Sequence, residues 1–226
     1  MRDSNADLWR QESGSKAPRF YSTACYSLSS AGFVSGLFSM LSPMLIELVC
    51  ATRYSPDDFW KQSALGQSLS RIGSDSRYTL SLASNNLEGL PKIYNNRINA
   101  QSASTAFLFV HDDVWLEDYF LANRLADAFE RFDVVGVAGS RRRLAKQPSW
   151  CFADTSFVRQ APEHLSGAVA HGREAFANVL RYGTVPAPCE LLDGVLLAVN
   201  RAALNAAGVS FDQRFSFHFY DMDFPD

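Results

Sequence analysis

Phe107-Leu108-Phe109-Val110-His111-Asp112-Asp113-Val114 is an apolar run that ends abruptly in two adjacent carboxylates. The apolar half reads as a buried strand. Packing gives no reason to set Asp112 and Asp113 at its end, where desolvation and mutual repulsion both cost free energy. Two readings fit. Asp is favoured at helix N-caps and in first turns, and the following Trp115-Leu116-Glu117-Asp118-Tyr119-Phe120 resembles a helix start. Alternatively the pair wants a divalent cation, since magnesium or manganese takes oxygen ligands, usually one or two carboxylates with substrate phosphates and water.

The surrounding pattern bears on that choice. Residues 46–52 (Ile-Glu-Leu-Val-Cys-Ala-Thr) form a short apolar run suited to a buried parallel strand. Ser55-Pro56-Asp57-Asp58 then supplies an N-cap, a first-position proline and first-turn acids. A helix follows with Phe59, Trp60, Ala64, Leu65, Leu69 and Ile72 as its buried stripe, ending near Gly73. A strand at 77–83, a turn-rich 84–90, a Pro91-started helix to about 101, the strand 106–111, a helix over 116–131 and a strand at 134–138 complete the series. This alternation predicts an α/β fold with a mostly parallel sheet and helices on both faces. Ligands of open parallel sheets bind beyond the carboxyl ends of the strands, so the position of Asp112 and Asp113 favours the cation reading. The irregular 140–188, with Trp150 and Phe152, suits loops over an active site. Order returns at 191–199, followed by a helix over 201–207 closed by Gly208.

At 226 residues the chain holds one substantial domain, with residues 1–44 expected as a poorly ordered extension and 45–226 as the domain proper. A formal charge of -3 gives no general attraction to nucleic acid, although Arg141, Arg142 and Arg143 cluster locally. Cys25, Cys50, Cys151 and Cys189 have no zinc-like spacing and call for no oxidising compartment, which leaves the cytoplasm as the expected location. Residues 20–46 carry no formal charge, and 32–41 could associate with a membrane. Their serines and glycines dilute the hydrophobicity below that of a spanning helix, which makes a loosely ordered extension the expectation and peripheral association at the inner face of a membrane the alternative.

A second acidic cluster, Tyr220-Asp221-Met222-Asp223-Phe224, lies among aromatic residues, where a carboxyl pKa tends to rise and a general base could work. A solvated helix start is the plainer alternative. With 46–52, with His111-Asp112-Asp113 and with Asp193-Gly194 before this cluster, the chain resembles the family 2 glycosyltransferases of GT-A fold. The resemblance covers residues from about 46 to the chain end. It implies a GT-A-like Rossmann-type sandwich, with a nucleotide-binding half at about 45–140 and an acceptor-side half at about 141–226. The acceptor-side half is expected to be incomplete, because Asp226 follows the second acidic cluster so closely.

The resemblance further implies inverting transfer of a sugar from a nucleotide-sugar donor to the hydroxyl of a glycan or other acceptor, with Mg or Mn as cofactor. Asp113 matches the last aspartate of the Asp-x-Asp element and would contact the metal; Asp112 holds the middle place, for ribose or metal. His111 replaces the first aspartate, and Tyr220-Asp221 stands where many relatives have Glu-Asp, making Asp221 the implied base. Asp193 and Gly194 fall on the donor side. Thr52 and Arg53, just after the first strand, could touch the nucleotide, an exposed loop arginine being the plain alternative. His111, His218 and Asp223 are accessory candidates, with Asp223 a competing base because residues two apart on an extended segment share a face. Two other functions compete: a non-catalytic nucleotide- or glycan-binding domain, and a metal-dependent phosphohydrolase built on the His111-Asp112 pair.

Overall fold

The computed structural model describes residues 20–21, 25–27, 44–72, 74–172 and 174–224. Most of the expected extension 1–44, including the apolar 32–41 segment, lies outside the described residues. Within it, the backbone of β1 (Phe20–Tyr21) and β2 (Cys25–Ser27) is extended. The domain proper then runs through β3 (Ile46–Ala51), α1 (Pro56–Gln62), α2 (Ala64–Ile72), β4 (Tyr78–Ala83), α3 (Leu90–Ile98) and β5 (Ala106–Val110). It continues with β6 (Val114–Trp115), α4 (Leu121–Phe129), β7 (Val134–Gly136), β8 (Ala138–Ser140), β9 (Leu165–Ala170) and β10 (Val179–Gly183). Last come β11 (Leu191–Leu192), β12 (Leu196–Asn200) and α5 (Arg201–Ala207).

The main sheet has the order β2-β7-β12-β5-β3-β4. Strand β3 pairs in parallel with both β4 and β5, while β12 is antiparallel to both β5 and β7. The strands expected at 46–52, 77–83 and 106–111, and the first part of the one expected at 134–138, therefore share one sheet and one direction. The fold is α/β with a mixed, mostly parallel sheet. Alternate residues feed two cores: Ile46, Leu48 and Cys50 face one side with Phe59, Leu65, Leu69, Leu121 and Leu125, whereas Val49, Phe107 and Phe109 face the other with Tyr94, Leu204, Phe211 and Tyr220. This two-sided burial explains why β3 and β5 are near-continuous apolar runs.

Several expected boundaries move. The single helix expected after Ser55 breaks at Ser63, which is extended at ψ 148. Its Oγ donates to the Phe59 carbonyl at 2.7 Å and accepts from Gly66 N–H at 2.8 Å, so one side chain closes α1 and opens α2. The strand expected over 134–138 divides at Val137: β7 belongs to the main sheet and β8 to a second, antiparallel sheet of order β10-β9-β8-β11. That sheet includes a hairpin from within the segment expected to be loops. The helix expected from 116 starts only at Leu121, because Val114, Trp115 and Leu116 are buried in β6 and its exit.

Candidate active site

Strands β4 and β5 leave β3 on opposite sides, so the connection order reverses between β3 and β5 and opens a crevice beyond their carboxyl ends. Thr52 and Asp112 are the residues that leave these two ends. The Thr52 hydroxyl donates to Asp112 Oδ2 at 2.5 Å, tying the strands together at the floor of the crevice. Above it lies a cleft of about 1100 Å³ lined by Thr52, Arg53, Lys61, Asn86, Asp112, Asp113 and Phe217, among others. Arg53 and Lys61 are exposed cations on this lining, while the two aspartates are half-buried. Glu88 adds an exposed acid to the rim, and the two cations over a carboxylate floor suit an anionic ligand carried with a cation.

Asp112 and Asp113 do not start the helix that follows, which begins only at Leu121. They occupy a turn closed by the Val114 N–H to His111 carbonyl bond at 3.4 Å, and Asp112 O accepts from Leu65 N–H at 3.1 Å at the start of α2. The residue preparing α4 is Asp118, whose Oδ1 accepts from Phe120 N–H at 2.9 Å. The alternative that the pair starts that helix therefore does not hold. Strand β5 ends in a tight turn that presents both carboxylates at the sheet edge.

The second acidic cluster reaches the same edge. Asp221 Oδ2 accepts from Gly194 N–H at 2.9 Å, and the Tyr220 hydroxyl donates to the Gly194 carbonyl at 2.8 Å, so consecutive residues grip both polar groups of Gly194. A side chain on Gly194 would meet Tyr220 Oη at 2.5 Å and Asp221 Cβ at 2.7 Å, which is why this position carries none. The Tyr220 hydroxyl also meets His111 Nε2 at 2.8 Å. Asp193 takes the Trp150 indole N–H at 2.6 Å and Val195 N–H at 2.9 Å.

Burial dominates the electrostatics. It raises the Asp193 carboxyl to about 6, helped by the charges of Asp221 and Asp113, and the two N–H donors oppose the rise. Burial also raises Asp221, against backbone N–H groups and the nearby His218 charge. His111 is lowered to about 4 by burial, so its ring is uncharged at neutral pH. Asp193 thus senses both acidic clusters, which stand on one side of the molecule.

The expected residues are brought together unevenly. Thr52, Arg53, Asp112 and Asp113 line the cleft. His111, Gly194 and Asp221 are joined through Tyr220 in an adjoining hydrogen-bonded group, and Asp193 interacts with Asp221 electrostatically. His218 is exposed against Phe217, with ring centres 5.3 Å apart. Asp223 acts electrostatically on Arg214. Residues 219–222 turn rather than extend, with Met222 N–H bonded to the Phe219 carbonyl at 3.2 Å, so the shared-face argument for Asp223 does not hold. The hydrolase reading needed His111 as a ligand beside Asp112, but its Nε2 is engaged by Tyr220.

Lys61, Asn86, Phe217, Trp150 and Tyr220 are site residues that sequence reasoning left without a role. Only Tyr220 carried a signal, as the neighbour of the acidic position. Among the described residues no three His, Cys, Asp or Glu side chains converge as a ready metal cage. The donor set fits a magnesium-type ion in the weaker sense that such ions take one or two carboxylates and complete their shell with phosphate oxygens and water. Among the described residues no helix is long and apolar enough to cross a membrane. Comparison with known proteins found no family model and no curated protein that matches the chain.

Proposed function

We propose that this chain is a nucleotide-sugar-dependent glycosyltransferase of GT-A type, acting with inversion on an acceptor hydroxyl. The observation that carries the reading is the juxtaposition at one sheet edge of a switch-point cleft floored by Asp112 and Asp113 with a half-buried carboxylate, Asp221, on the neighbouring segment. The cleft takes the nucleoside diphosphate part of the donor. Arg53 and Lys61 meet its phosphates from the rim, and Asp113, with Asp112, would hold the divalent cation. When bound, that cation neutralises charge developing on the leaving diphosphate.

Asp112 is oriented for this task by Thr52, whose hydroxyl fixes one carboxylate oxygen. Asp221 removes the acceptor proton as the acceptor oxygen bonds to the anomeric carbon and the bond to the diphosphate oxygen breaks. Burial favours that proton transfer by raising the basicity of Asp221. Asp193 has both oxygens engaged by N–H donors and serves as scaffold, holding Trp150 and the turn into β12.

The test is a panel of nucleotide sugars offered with Mn or Mg, read by calorimetry and by release of nucleoside diphosphate. Metal-linked binding with release supports transfer. Binding without release to any acceptor or to water points to a non-catalytic binding domain, and no binding removes the reading.

A further inference from the structure

The two positions at which this chain departs from the pattern it resembles, His111 and Tyr220, touch each other. His111 ends the strand that presents Asp112 and Asp113, and Tyr220 immediately precedes Asp221. Tyr220 has one hydroxyl proton and gives it to the Gly194 carbonyl at 2.8 Å, so His111 Nε2 must carry a proton and donate to the Tyr220 oxygen at 2.8 Å. The chain of contacts therefore runs from β5 through His111 and Tyr220 to Gly194, whose N–H holds Asp221 at 2.9 Å.

Tyr220 is also packed from behind by Tyr94 and Phe211, with ring centres 5.9 and 5.8 Å away. Phe219, just before it, sits at φ 67, a left-handed conformation that a bulky aromatic residue rarely adopts. Such a conformation persists only where the surroundings over-determine it, and here the bonds and packing of Tyr220 do so.

We propose that His111 and Tyr220 form a latch that fixes the Asp221 segment to the donor-binding edge, making both of them positioning residues for Asp221. The inference rests on the glycosyltransferase reading for its kinetic consequence and on the hydrogen bonds alone for its structural one. Neither residue touches the reacting atoms. Their work is to set where Asp221 stands relative to the cleft, and small displacements of a catalytic group reduce turnover steeply.

The experiment uses the full chain with Tyr220→Phe, His111→Phe, their combination, and His111→Gln, which keeps an N–H donor. With the donor and acceptor found in the panel, each Phe variant should lose about tenfold or more in kcat, with donor KM unchanged within about twofold. The double variant should be no worse than either single one, because both break the same contact, and His111→Gln should recover most of the rate.

Amide hydrogen exchange supplies the second arm: residues 211–224 should exchange faster in each Phe variant and no faster in the double. Additive losses, unchanged kcat, or exchange unchanged from the wild type would overturn the latch. If the wild type transfers no sugar at all, the transferase reading falls, and the exchange arm still decides whether the latch exists.

Discussion

Asp193 and Asp221 are both half-buried, both raised by burial and only a few bonds apart through Gly194, yet their partners assign them different work. Asp193 accepts from the Trp150 indole and the Val195 N–H, whereas Asp221 accepts from backbone N–H groups, that of Gly194 among them, and is the base of the proposed reaction. Asp221→Asn should abolish transfer while leaving donor affinity within about twofold, since Asn keeps the size but takes no proton at neutral pH. Paired turnover and calorimetry check this, and near-normal turnover would remove Asp221 from the mechanism. Asp193 makes a pH prediction. Its folded pKa of about 6 lies above the ordinary 3.8, so the folded state holds that proton more tightly than the unfolded chain. Its contribution is therefore neutral well below pH 4, becomes unfavourable as pH rises between about 4 and 6, and levels off above that at about 3 kcal/mol. Asp193→Asn loses acceptors for Trp150 and Val195, a cost independent of pH. The stability gap between variant and wild type should nevertheless shift in favour of Asn as denaturant melts move from pH 4 to pH 8; a flat gap would show that Asp193 is not so perturbed. At this scale the aspartates were legible because short acidic clusters interrupt apolar runs. Trp150 was not, since an isolated aromatic in an irregular segment gives no sign of which carboxylate it will reach.

Among the elements, the break between α1 and α2 shows how one side chain overrides a periodic pattern. Phe59, Ala64, Leu65, Leu69 and Ile72 are buried as expected whereas Trp60 is exposed, and that run of apolar residues is why the sequence reads as one helix. Ser63 ends it by competing for the Phe59 carbonyl, a contact no hydrophobic pattern encodes. The bend brings α2 so close that a Cβ on Gly66 would lie 2.2 Å from the Phe59 carbonyl oxygen, which is backbone and cannot swing aside. Gly66→Ala should therefore cost about 1–3 kcal/mol despite the better helix propensity of Ala, and Ser63→Ala about 1 kcal/mol through the lost cap. Thermal melts of both variants check the order, and a stabilised Gly66→Ala would refute the close approach. The hairpin of β9 and β10 was hidden for another reason. Leu165–Ala170 is wholly buried but short and interrupted by glycine, while Val179–Gly183 is mostly exposed, so neither shows the alternation of a half-buried strand. Val137 was hidden too, because a strand that changes sheets keeps its apolar character on both sides of the change.

For the molecule as a whole, the common direction of β3, β4, β5 and β7 and the edge where the candidate site lies were legible because parallel strands joined by helices leave few arrangements open. The strand order was not: β12 inserts between β5 and β7 from far along the chain, and the run 191–199 carries no mark of its antiparallel course. That insertion has a functional consequence, since it places the Asp193-Gly194 turn beside the end of β5, where Val195 O accepts from His111 N–H at 3.1 Å. The cleft and the second acidic segment are thus neighbours in one edge, and occupation of the cleft should stabilise the whole domain. A nucleoside diphosphate at about a hundred times its Kd, with Mn present, should add about 2.7 kcal/mol to unfolding. Asp113→Ala should remove most of this ligand-linked gain while leaving the ligand-free protein folded by circular dichroism, because Asp113 lies in a turn outside the main core clusters. Chelation of the metal should reduce the wild type to the same level and leave the variant unchanged. An equal gain in wild type and variant would place the cation away from Asp113, and a gain that survives chelation would show that Arg53 and Lys61 hold the phosphates without any metal.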